Sequence, residues 1–457
     1  MLTTVLSFLV TLGVLIVVHE YGHYRVARWC GVKVLRFSVG FGRVLWRRQA
    51  GPGATEFTLS ALPLGGYVRM LDSREGPVPP ALLNQAFDRQ PLRHRVAIVS
   101  AGPLANLLLA VLLYALMHWV GLSEPQAVLA SPPVGSVAAQ AGLQAGDRVL
   151  AVAQDGADAD WRDVRSMTDL RWAVSQALLK GQALQLQVGQ GADGTRHRVV
   201  RLPLDQLPGR EADAAALRQT GLSSAYRSAR MGEVRAGGPA AAAGLQAGDR
   251  VLSVDEQAVP DAQWLLDKLR TPAAAGQAMT WRIERRGQVS DVEVTPRRVE
   301  EGGQVFGRID AFVGEPPAMV LVRMGPLEGL STGFTQTWEM ASLSVRMIGR
   351  MLTGEASLKN LSGPLTIADY AGQSARLGPA YYLGFLALVS LSLGVLNLLP
   401  LPMLDGGHLM YYLFEAVTGR PVTDAWLERL QRGGVAIMLM MMSLALYNDV
   451  ARLLGLH

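Results

Sequence analysis

The sequence is poor in cysteine and in charge, and it has no basic leader. One cysteine, Cys30, stands in 457 residues, which excludes an intramolecular disulfide and a multi-cysteine zinc site. Charged residues make up 18% against 49% hydrophobic, on the apolar side of soluble composition. No basic stretch precedes the first apolar run, and HEYGHYRVAR stands where a small-residue cleavage site would follow. A cleavable signal is therefore not expected, and the first helix is read as retained. The net charge of +5 does not point to nucleic acid. The basic residues crowd into short segments beside apolar ones, as in membrane-protein loops.

What the chain does have is long apolar runs. Residues 2–18 are almost wholly apolar, 96–122 and 381–404 are long enough to span a bilayer, and 434–451 is a shorter fourth candidate. The expected fold is a polytopic α-helical membrane protein with four transmembrane helices. Residues 25–95 are rich in Arg and carry few acids, Glu56, Asp72, Glu75 and Asp88. That excess puts this segment in the cytoplasm, exports residues 123–380, returns 405–433 as a cytoplasmic loop and leaves both termini outside. Within 306–380, residues 333–354 tempt a fifth span, but Glu339, Arg346 and Arg350 favour an amphipathic helix lying on membrane lipid.

AGLQAGDRVL occurs twice, at Ala141–Leu150 and Ala243–Leu252, which marks a duplicated domain. The pattern resembles the PDZ domain in its bacterial arrangement, over residues 123–207 and 222–305. Such a groove takes an extended peptide as an added strand, so peptide ligands are expected. The alternative is a folded spacer that binds none.

The first apolar run leads directly into HEYGH. HExxH on a helix puts His19 and His23 on one face, able to share one zinc, with Glu20 placed as general base. A catalytic zinc needs a third protein ligand. It must come from a span ending at the same depth, and the run 381–404 ends in NLLPLPMLDGGH. Asp405 and His408 both qualify, because Gly406 and Gly407 leave the local backbone undefined. RFSVGFG (36–42) and TEFTLSALPLGGYV (55–68) read as short strands between the first two spans.

HEYGH, N-x-x-P-x-P-x-L-D-G from Asn397 to Gly406, the PDZ-like repeats, LPLGGYV, FDRQPLRHRVAIVSAGPLAN and LSGPLTIADYAG together resemble the site-2 protease family of intramembrane metalloproteases. The resemblance covers essentially the whole chain. It implies one zinc held by His19, His23 and Asp405 near the cytoplasmic side, with Glu20 catalytic. It further implies substrate contacts from Asn397 and Pro402 and a membrane-dipping β-hairpin whose edge pairs with unwound substrate. Phe37, Val39, Gly40, Phe41 and Gly42 are the hairpin residues concerned. The implied setting is the bacterial inner membrane, with PDZ domains in the periplasm. The implied substrates are single-span proteins, an anti-sigma factor after earlier trimming and signal-peptide remnants among them, in envelope-stress signalling. Two rival classes are a membrane-anchored PDZ scaffold with structural or no zinc, and a zinc transporter. The scaffold leaves the shared depth of HEYGH and LDG unexplained, and transport needs a polar path rather than one cluster.

Overall fold

A computed structural model describes residues 2–155, 160–190, 196–207, 217, 219–222, 224–301, 303–353 and 363–453. Part of the 306–380 segment therefore lies outside the described residues. The chain forms two units, Met1–Leu122 with Arg323–His457, and Ser123–Val322.

The first unit is built on helices. In chain order it contains α1 (Leu2–Trp29), strands β1 (Val34–Gln49) and β2 (Glu56–Met70), and α2 (Leu92–Val120). It continues with α3 (Pro326–Leu352), α4 (Pro364–Leu377), α5 (Pro379–Asn397), α6 (Asp405–Thr418) and α7 (Asp424–Leu453). Four helices among the described residues are long and apolar enough to cross a membrane: α1, α2, α5 and residues Ala425–Val450 of α7. Leu6, Leu108 and Leu439 point out from them and are exposed, as lipid-facing residues are.

Three helices of this unit begin at a Gly-Pro step. Gly325, Gly363 and Gly378 are N-caps and the following proline opens the helix, where its missing N–H costs nothing. The first turn of α4 gets its cap from a distance. Asp449 on α7 accepts the backbone N–H groups of Gly363, Leu365 and Thr366 at 3.0–3.2 Å. The amphipathic helix expected over 333–354 begins earlier, at Pro326, and packs on α2. A Cβ on Gly333 would meet Val111 O at 2.7 Å, and one on Gly329 would meet the Trp119 ring, so these two glycines let the helices touch. Residues 405–433, the expected connection between the third and fourth spans, contain α6 and the opening of α7.

The expected hairpin is a more folded sheet. Both strands bend at glycines, with φ of 89° at Gly40, 83° at Gly42 and 151° at Gly65. As a result Phe37, Ser38 and Val39 pair on one side with Val68, Tyr67 and Gly66, and on the other with Phe57, Thr58 and Leu59. Beyond the bend, Val44–Gln49 pairs back along Glu56–Ser60. Among the described residues, 37–39 are thus paired on both sides, and the outer segments of the sheet are Val44–Gln49 and Gly66–Val68.

The second unit holds two modules of like order. In the first, Arg148–Gln154 lies between Arg162–Asp163 and Leu184–Gln190, with Arg196–Leu202 outermost. In the second, Arg250–Val254 lies between Gln257–Ala258 and Met279–Arg285, with Gln288–Val294 outermost. Helices Met167–Lys180 and Ala262–Leu269 occupy the same place in the two orders. Each module has its own core, around Leu170, Leu186 and Leu202 in one and Leu265, Trp281 and Ile283 in the other. The repeated GD step does the same job twice. Asp147 accepts Gln144 N–H and Arg198, and Asp249 accepts Gln246 N–H and Arg285.

Candidate metal centre

The HEYGH segment lies inside α1, near its C-terminal end, so i and i+4 share one face. His19 and His23 present their Nε2 atoms to the same point, 3.2 Å apart. Asp405 reaches that point from the first turn of α6, with Oδ2 3.2 Å from His19 Nε2 and 3.6 Å from His23 Nε2. A tetrahedral zinc with ligands at about 2.0–2.1 Å sets its donor atoms about 3.3 Å apart. The observed triangle has that size, and two imidazoles with one carboxylate suit zinc. Among the described residues it is the one such group of three. The residues fit the metal, with a fourth position left for chemistry.

The surroundings hold the triangle. His23 Nδ1 lies 2.8 Å from the carbonyl of Ile98 on α2. Donation of its N–H there leaves Nε2 with the lone pair a metal needs. Helix α2 also makes room: a Cβ on Gly102 would lie 2.8 Å from His19 Nε2 and overlap His23 Nε2. Gly22, between the histidines, touches the Ala101 carbonyl in the same way, and its Cβ would lie 2.8 Å from Ala105 Cβ. Beyond Asn397 the chain leaves α5, turns through Leu398–Leu404 and restarts at Asp405. Gly406 and Gly407 pack against the backbone of Leu398–Pro402, so a side chain at either would push Asp405 away from the histidines.

Glu20 stands within electrostatic reach of His19, His23 and Asp405. The sheet closes over it: a Cβ on Gly66 would meet Glu20 Cγ at 2.9 Å and Ile16 Cγ2 at 2.8 Å. His408, the rival third ligand, lies outside the triangle and sets its ring edge-on to Tyr411, centroids 5.9 Å apart. Asn397 is half-buried at the end of α5, and Pro402, in the turn, packs on α7 near Gly434.

The sheet residues divide by role. Phe37 is buried, its ring 5.8 Å from Tyr24 and 5.6 Å from Phe57, so it joins the sheet to α1. Gly40 lies so near Ser60 O and Leu62 O that a Cβ would reach 2.9 and 2.8 Å. Val39 is half-buried between two paired neighbours, Phe41 is exposed and stacks on Tyr67, and Gly42 lies beside Leu62.

Gly102 and Asn106 of α2 were not singled out from sequence. The available signal was GPLAN inside an apolar span, where a polar amide needs a partner.

Comparison with known proteins agrees with this geometry. Peptidase family M50 matches residues 7–441. The chain belongs to that family, the site-2 proteases, and is a zinc metalloprotease. A Ralstonia nicotianae protein named as a candidate zinc metalloprotease is 44% identical over 465 residues, covering 99% of both chains. The Escherichia coli regulator of sigma-E protease RseP is 38% identical, with 98% of each chain covered. The Salmonella typhi regulator of sigma E protease is 37% identical, again covering 98% of each chain.

Proposed function

We propose that this zinc metalloprotease hydrolyses a peptide bond within or beside the membrane span of single-span proteins, with His19, His23 and Asp405 as metal ligands and Glu20 as acid–base. The observation that carries this reading is the 3.2–3.6 Å triangle of donors among helices apolar enough to cross a bilayer. When bound, zinc supplies Lewis-acid polarisation of the scissile carbonyl and acidifies the attacking water. Glu20 takes the water's proton and delivers it to the leaving nitrogen. Asn397 donates its amide N–H to substrate backbone, and Pro402 fixes the turn that carries Asp405.

A helical substrate has its backbone groups already paired, so it must unwind before it can be cut. The Gly66–Val68 edge beside Glu20 offers the unwound segment a strand to pair with. The two repeat modules are PDZ domains on the exported face. The Arg-rich segment 25–95 lies in the cytoplasm, which sets the metal centre towards that side of the inner membrane. The substrate class is the membrane-anchored anti-sigma factor, cut after its external part has been trimmed. The support for that class is the sigma-E name of relatives matched over 98% of their length.

The test compares purified wild type and Glu20→Gln on a single-span substrate with a short external tail, with zinc measured in both. The expected result is zinc in both and cleavage by wild type alone, Glu20→Gln losing at least a hundredfold in rate. Cleavage by both would remove Glu20 from the reaction. Equal zinc without cleavage by either would favour the scaffold reading.

A further inference from the structure

One buried amide beside the metal centre has no part in the reaction described above. Asn106 is fully buried on α2, one turn beyond Gly102. Its Nδ2 lies 3.4 Å from His19 Nδ1. Its Oδ1 has no hydrogen-bond partner among the described residues, and an amide oxygen left so in an apolar interior is destabilising. The residue's backbone is fixed independently, since Ser390 Oγ on α5 donates to the Asn106 carbonyl at 2.8 Å.

The chemistry of His19 decides which end of the amide faces it. A half turn about the last side-chain torsion exchanges oxygen and nitrogen with almost no change in shape. His19 Nε2 faces His23 Nε2 and Asp405 Oδ2, so it is the nitrogen offered to a metal. An imidazole ligating through Nε2 carries its proton on Nδ1. Two N–H donors cannot bond each other, whereas the uncommitted oxygen can accept. For His23 the same service comes from the Ile98 carbonyl, also on α2. One helix thus supplies both acceptors, one from its backbone and one from a side chain.

We infer that Asn106 is a positioning residue: its amide oxygen accepts the Nδ1 proton of His19 and holds that ring in the tautomer and orientation that present Nε2 to the metal. The inference rests on the metal-centre reading above and adds to it the residue that orients His19.

The test is zinc affinity, measured on the full-length protein in detergent by competition with a chromophoric chelator. Asn106→Leu keeps the size and removes the acceptor, and zinc binding should weaken ten- to a hundredfold, the usual cost of losing such a partner. Asn106→Asp keeps an accepting oxygen and should hold zinc at least as tightly as wild type. Wild-type affinity in Asn106→Leu would overturn the inference. So would equal losses in both variants, which would mark Asn106 as packing alone. Should Asn106→Leu fail to fold, the visible spectrum of cobalt-substituted Asn106→Asp decides. It should shift from wild type because a stronger acceptor stands behind His19, and an unchanged spectrum overturns the inference. A wild-type protein with no stoichiometric zinc would instead remove the metal-centre reading, and this inference with it.

Discussion

At the scale of single residues, the site depends on absent side chains as much as on present ones. Gly102 lets α2 lie against both histidines, and any Cβ there would occupy the space of the ligating nitrogens. Gly102→Ala should therefore lower zinc affinity by more than tenfold and activity with it, while the protein still folds. Chelator competition together with a thermal melt checks both halves, and full zinc affinity in a folded Gly102→Ala would contradict the geometry. The closeness of His19, His23 and the LDG segment was legible, because HExxH has the helical period and LDG follows an apolar run. The choice of Asp405 over His408 was not, because it depends on how Leu398–Leu404 folds back on Gly406 and Gly407. Gly102 and Asn106 were hidden for a related reason. Close approach between two helices leaves no periodic trace in either.

At the scale of elements, the sheet between the first two spans shows where pattern reading stops. Alternation of Phe37, Val39 and Phe41 marks a strand, but the bends at Gly40, Gly42 and Gly65 decide which segments pair. Those bends bring Gly66 onto α1 beside Glu20. Gly66→Val should push this strand away, cutting kcat/KM at least tenfold while zinc stays bound. Loss of zinc in that variant would mean the strand supports the metal rather than the substrate. Helix α6, within the connection between the third and fourth apolar runs, left no clear signal because Asp405 to Thr418 mixes glycine, histidine and acid in a short run. In the repeat modules, Asp249 is buried and pairs twice with Arg285 at 2.7 Å. Burial alone would raise its carboxyl pKa, but Arg285 and the Gln246 N–H outweigh it and hold the value below the usual range. The pair therefore adds stability that is fully present above the unfolded carboxylate value of about 3.9 and is lost as pH falls through the lower folded value. Arg285→Ala should cost about 1.5–3 kcal/mol at neutral pH, a difference that shrinks in acid. Thermal unfolding at pH 7 and near pH 3 reads both, and a constant difference would contradict the pairing.

At the scale of the whole molecule, four apolar helices and a two-module insertion between the second and third were legible from run length and from AGLQAGDRVL. The packing of α3 along α2 was not, since its charged residues mask a helix whose glycines seat it on a neighbour. Two features far apart in sequence come together: histidines on α1, near the start of the chain, and an aspartate almost four hundred residues later share one point among helices apolar enough to cross a membrane. The proposed function requires hydrolysis at membrane depth. The most direct measurement is mass-spectrometric mapping of the bond cut in a labelled single-span substrate, with the reaction run in oxygen-18 water. One cut is expected within or directly beside the substrate's apolar segment, with a single oxygen-18 carried into the new carboxylate. A cut only in the substrate's soluble part, away from its span, would contradict the proposed function.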